Sequence, residues 1–557
     1  MPESKSKNNF LIPAIGTAIV IAGGVAAYMY FKGGPQGNVS DALNAAKIVP
    51  DEALMATYIS TDPTVWAKLE QFGTPEAQKI VAKGLEDFNK GLSTDSSISY
   101  EKDLKPWVGG VMIAVLPPNP VKPAQNTPQA SQQSNVLMVV GIKDKMQALN
   151  FATKLKGQKD LKITETDYKG EKIIETAGKS SPTYTSILNN TYVVYATEKP
   201  AIESAIDTFK GQPSFANKEG ANSLLTQGVN VENTVAQIYV PDYAGMVQQL
   251  IATNPQSAQL PPQTLSQLKQ VKSLVAGVGI DNVGVRMKAT AKLDPQLVKF
   301  QYQNTGSKVV SEFPADTMAI VSGQGISSWW TTVVEQSKEV PELKQTLETA
   351  RQQLKFVNID LDKEVFSWMD REFGIAAIPS NQGVLAQTGF GGAFVFQTGD
   401  RKTAEGTLSK LDTLVKTQSL NIAKRNIGGK EITEWQIPKQ GALLAHGWLN
   451  QDTLFVAIGG PIAEMLADRK GPSLDGSANF QAVTNTLQKP NGGYFYIDMD
   501  KTASVINRFA TAQQQPISPE ASAIMSSIRG LGMTATSPDK STSQVEMLLA
   551  LKPKSGN

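Results

Sequence analysis

Two stretches of the chain follow one plan: Val49-Pro50-Asp51-Glu52-Ala53-Leu54-Met55, leading to Trp66, and Phe313-Pro314-Ala315-Asp316-Thr317-Met318-Ala319, leading to Trp330. Moving outward, Lys105-Pro106-Trp107 and the apolar run ending at Pro117 match Phe366-Ser367-Trp368 and the run ending at Pro379. Gly170-Glu171-Lys172-Ile173 matches Gly429-Lys430-Glu431-Ile432, and Pro200-Ala201-Ile202-Glu203 matches Pro461-Ile462-Ala463-Glu464. Four matches in one order at a nearly constant offset point to two copies of one domain, over 47–300 and 308–553. The period is far longer than that of solenoid repeats.

The first copy predicts strands over 53–60, 108–116, 136–142, 183–188 and 192–197, with helices over 63–72, 145–155 and 243–252. Alternation over 162–176 is broken at Lys169-Gly170, and Asn189-Asn190 separates the next two strands, so both pairs read as hairpin turns. Pro200 is expected at the first position of a helix. Strands over 237–240 and 271–293 complete the copy, and the second copy repeats the order from 317–322 to 544–551. Short links between successive strands imply antiparallel pairing with helices on one face, an α+β architecture. Pro117–Ser134, rich in proline and glutamine, reads as a solvated excursion between two strands.

At the N-terminus, residues 1–9 read as a cytoplasmic tail and 10–31 as a transmembrane helix. FLIPAIGTAIVIAGGVAAYMYF carries no charge and is long enough, at about 1.5 Å per residue, to cross a hydrocarbon core about 30 Å thick. Tyr28, Tyr30 and Phe31 end it as interfacial aromatics do, and the length argues against a cleaved signal peptide. Lys5 and Lys7 favour an inside N-terminus with the bulk of the chain outside. Residues 32–46 read as a linker.

Composition narrows the chemistry. The 557 residues hold 53 basic and 51 acidic side chains, no cysteine and one histidine. The near balance of charge gives no general attraction to nucleic acid. Disulfides, thiolate nucleophiles and cysteine-ligated zinc are excluded. His446 alone cannot make a histidine-rich metal site, and it reads as a satisfied strand residue rather than a general base, with Ser186 or a neighbour at the corresponding place in the first copy. Tyr496-Ile497-Asp498-Met499-Asp500 offers alternating carboxylates for a hard cation, but these acids read better as caps of the helix beginning near Lys501. The pairs Trp66/Trp330 and Trp107/Trp368 read as core, and Gly389-Phe390-Gly391-Gly392 lacks the context of a phosphate loop. No catalytic, cofactor-binding or metal-binding residue is assigned, and no cofactor is expected.

The anchor, the VPDEALMATYIS and FPADTMAIVSGQ openings and the doubled α+β body together resemble a cyanobacterial family of membrane-anchored proteins known only as a domain of unknown function. The resemblance implies a plasma or thylakoid membrane protein with its body in the periplasm or lumen. It supplies no activity. Three classes of function are open: a non-enzymatic binding or scaffold protein for envelope or thylakoid components, a carrier of a lipid or other apolar ligand, and an enzyme without metal or thiol chemistry. The expected partners are the membrane itself through 10–31, and membrane proteins or lipid.

Overall fold

The computed structural model describes residues 42–80, 83, 100–118, 135–156, 162–177, 182–221, 230–252, 268–298, 303–304, 306–338, 340–416 and 420–554. The predicted anchor at 10–31 and nearly all of the Pro117–Ser134 segment lie outside these residues. Among the described residues no helix is long and apolar enough to cross a membrane. They form two compact units: one within 1–71, 78–259 and 272–282, the other within 72–77, 260–271 and 283–557.

The first unit holds β1 (Met55–Ile59), β2 (Val108–Leu116), β3 (Asn135–Ile142), β4 (Lys162–Tyr168), β5 (Glu171–Ala177), β6 (Thr183–Leu188), β7 (Tyr192–Ala196), β8 (Thr234–Val240) and β9 (Val271–Ile280). Antiparallel pairing sets the order 9-8-1-2-3-7-6-5-4. The second unit holds β10 (Gly284–Leu293), β11 (Ala319–Gln324), β12 (Glu372–Pro379), β13 (Phe390–Gln397), β14 (Asn421–Ile427), β15 (Lys430–Ile437), β16 (Gly441–Trp448), β17 (Thr453–Ile458), β18 (Tyr494–Asp498), β19 (Ile528–Asp539) and β20 (Thr542–Leu551). Its order is 10-20-19-18-11-12-13-17-16-15-14, again all antiparallel.

Turn chemistry sets the hairpins. Lys169 and Gly170 have φ of 51° and 82°, and Asn189 and Asn190 have 50° and 51°. Two successive positive φ angles make the turn whose twist matches that of the strands it joins, and asparagine and glycine tolerate them at least cost. The predicted breaks therefore fall where the structure places them.

Helices pack on both faces of each sheet, where one face was expected. In β17 the neighbouring residues Leu454 and Phe455 are both fully buried. Phe455 packs in the main core with Ile462 and Val483, and Leu454 packs with Ala404 and Leu408 of the Arg401–Lys416 helix. In β8, Tyr239 joins the core around Ile202 and Ala205, while Ile238 and Val240 meet Met246 of the Tyr243–Ala252 helix. Successive side chains of a strand point to opposite faces, so unbroken apolar runs require cover on both.

Two smaller readings are also revised. Pro200 is the second residue of the Lys199–Phe209 helix, not the first. Residues 42–46, read as the end of the linker, form a short helix whose Ala45 and Ala46 are fully buried. Alanine fits there because it adds apolar contact with little volume and has the highest helix propensity.

A buried ion pair ties the second unit together. Arg286 on β10 lies 2.5 Å from Glu546 on β20, with side chains only 8% and 5% exposed. Arg286 also donates to Thr486 Oγ1 at 2.7 Å, and the backbone N–H of Gln488 donates to Glu546 at 2.9 Å. The turn after the Ala478–Thr484 helix is thereby fastened to the sheet.

Candidate functional site

His446 sits on β16 between Thr433 and Val456. Its Nε2 is 2.8 Å from Asp412 Oδ1, to which Trp435 Nε1 also donates at 2.7 Å. Because an ionised carboxylate only accepts, this contact requires the proton on Nε2. Burial pushes the Asp412 carboxyl up, but the bonds from His446 and Trp435 outweigh it and hold the group below its ordinary 3.8. Among the described residues no hydroxyl or amine is bonded to the ring, so the trio fastens the Arg401–Lys416 helix to the sheet and supplies no nucleophile. The matching ladder position in the first unit, between Ile174 and Tyr195, holds Thr185.

The two carboxylates of Tyr496–Asp500 are parted by the end of β18. Asp498 is fully buried and caps the Met499–Ala512 helix, accepting from the N–H groups of Asp500 and Lys501 at 3.1 and 3.3 Å. It also meets Lys501 Nζ at 2.9 Å and accepts from Asn479 at 3.2 Å. Burial pushes the Asp498 carboxyl up, yet these partners hold it below its ordinary range. Asp500 stands in the first helical turn and pairs with Lys552 at 2.5 Å. Both acids are committed to the helix start and its surroundings.

The four shared tryptophans are buried. Trp107 and Trp368 each donate to the backbone carbonyl four residues earlier, of Asp103 and Glu364. Trp66 donates to Ser60 O and Trp330 to Asp362. These are core anchors with satisfied N–H groups, as aromatic residues of this type require. Gly391 and Gly392 lie inside β13.

A polar groove of about 620 Å³ lies between the Pro341–Lys355 helix, the Asp360–Glu364 turn and Lys410. Arg351 grips Asp362 through Nε and Nη2 at 2.8 and 3.0 Å. Lys410 meets Glu364 at 2.6 Å, and Asp360 caps the turn by accepting from Asp362 and Lys363. Desolvation pushes Asp362 up, but Arg351 and Trp330 bring it below its ordinary value. Arg351 and Lys410 offset the charges of Asp362 and Glu364, and the pairing fastens the turn to the two helices.

The second unit carries a different feature that sequence reading missed. Met547, Met533, Phe495, Val321, Ile375 and Phe394 are successive cross-strand partners on β20, β19, β18, β11, β12 and β13. Their strand neighbours Leu548, Gly532, Tyr496, Ile320, Ala376 and Val395 are buried, so the row lies on the face away from the main core. Val321, Ile375 and Met533 are 43%, 39% and 37% exposed. Six strands at about 4.8 Å spacing make an apolar row about 24 Å long. Its signal in the sequence is the apolar residue on both parities of a strand, as in Ala319-Ile320-Val321.

Residues 14–551 match the family model described as a protein of unknown function, DUF3352, and the chain belongs to that family. No curated protein matches it. Among solved structures it is similar to TP0453 in crystal form IV, at 10% identity and a TM-score of 0.26, over 46% of this chain and 81% of that one. It is similar to TP0453 in crystal form I at 9% identity and a TM-score of 0.25, over 48% and 90%. A likeness at this level carries no argument about role.

Proposed function

We propose that this chain is a membrane-tethered, extracytoplasmic protein that binds or scaffolds other components of an envelope or thylakoid membrane and catalyses no reaction. The observation that carries the reading is the apolar row from Met547 to Phe394, in which Val321, Ile375 and Met533 are exposed. Contiguous exposed apolar surface marks sites of association, and Val321, Ile375 and Met533 supply it here. The uncharged stretch at 10–31 supports the tether. We also read the body as a duplication. The order 9-8-1-2-3-7-6-5-4 in one unit and 19-18-11-12-13-17-16-15-14 in the other supports that reading, as do the four sequence matches.

Carriage of a lipid or other apolar ligand is the second reading, favoured by the same row because hydrocarbon asks for no hydrogen bonds from it. Affinity purification of the full-length chain from gently crosslinked membranes, with mass spectrometry of proteins and lipids, separates the two. A reproducible set of membrane proteins supports scaffolding. A stoichiometric lipid without protein partners puts carriage in its place.

A further inference from the structure

We infer that copies of this chain associate head to tail, by pairing the outer edge of β4 in one copy with the outer edge of β14 in the next. Each strand has seven residues and, among the described residues, is paired along one side only, β4 with β5 and β14 with β15. Neither ladder contains a bulge, and neither strand contains proline. Bulges, prolines and covering elements are devices by which proteins blunt an open edge, and charge is another. Here charge is the device in use, and its sign differs between the two edges.

Strand β4 carries Glu165 and Asp167 against Lys162, whereas β14 carries Lys424 and Arg425 and no acid. Pairing two copies of β14 over their full length in antiparallel register sets Lys424 opposite Lys424. The same operation on β4 sets Glu165 opposite Glu165. Like charges directly opposite oppose both pairings. Full-length antiparallel pairing of β4 with β14 instead sets Glu165 opposite Lys424, with Asp167 on the adjacent diagonal. Within each unit Glu165 already meets Lys172 at 3.1 Å, and Lys424 meets Glu431 at 2.8 Å. Lys424 and Glu431 are 65% and 68% exposed, and Lys172 and Glu165 are 73% and 37% exposed, so water screens both pairs and a carboxylate of the next copy can share Lys424. The contact uses different surfaces on the two copies and therefore builds rings or open chains of molecules.

This inference goes beyond the scaffold reading and does not depend on it. Sedimentation velocity of the purified full-length chain in detergent, across a concentration series, tests it with no other protein present. The wild type is expected to associate with rising concentration and to dissociate in high salt. Glu165→Lys and Lys424→Glu should each weaken association at least about tenfold, since like charges are brought together. The double variant should restore it by exchanging the signs. A wild type that stays monomeric overturns the inference, as does association unaffected by either single variant, or a double variant that fails to recover. None of these outcomes bears on partner docking at the apolar row.

Discussion

Asp412 is the residue on which a local part of the account can be checked. Its carboxylate accepts from both Trp435 and His446, so Asp412→Ala strands the buried His446 donor and the partly buried Trp435 donor. A stranded buried donor costs about 1–3 kcal/mol, and the expected outcome is a lower urea midpoint with an unchanged slope. The pH dependence follows from the lowered carboxyl pKa. A depressed carboxylate contributes its full stabilisation above its unfolded value near 3.8 and loses it as pH falls through the lower folded value. The part of the stability gap between wild type and Asp412→Asn that this carboxylate supplies should therefore close in acid below that point. A gap that widened in acid would contradict the assignment. At this scale the sequence exposed His446 as an isolated histidine, because residue identity alone shows that. Its partner lies 34 residues away on another element, a proximity that only the packing of the helix creates.

Among the elements, β10 and β20 depend on a charged pair where an apolar contact would be expected. Glu546→Ala leaves Arg286 buried without its main partner, and the loss should be about 3–5 kcal/mol by thermal or chemical unfolding. Arg286→Met combined with Glu546→Leu should recover most of that loss, since no charge is then buried. A double variant as unstable as the single would show that the pair is needed for its geometry instead. Asp498→Ala should cost about 1–2 kcal/mol through loss of the cap on the Met499–Ala512 helix. The elements themselves were largely readable. The limits 108–116, 183–188 and 243–252 coincide with β2, β6 and the Tyr243–Ala252 helix because apolar periodicity and turn residues agree there. The cover on both faces was not, because Leu454-Phe455 reads equally as a strand buried once with a chance neighbour or as one buried twice. The apolar row escaped for the same reason: exposure of Val321 and Ile375 depends on which helices fail to reach them.

For the whole molecule, the tether and the docking surface make separate predictions. Removal of residues 1–32 should move the chain from the membrane pellet to the soluble fraction, and persistence in the pellet after an alkaline wash would contradict the tether. The family match over 14–551 spans nearly the whole length, yet it brings no activity, so role must be read from surfaces. The most direct test places a photo-crosslinking residue at Ile375, on the apolar row, and at Gln345, an exposed position on the Pro341–Lys355 helix, each in the full-length chain in intact cells. The account predicts discrete protein adducts from position 375 and none of the same bands from 345. Absence of adducts at 375, or identical bands from both positions, would contradict it.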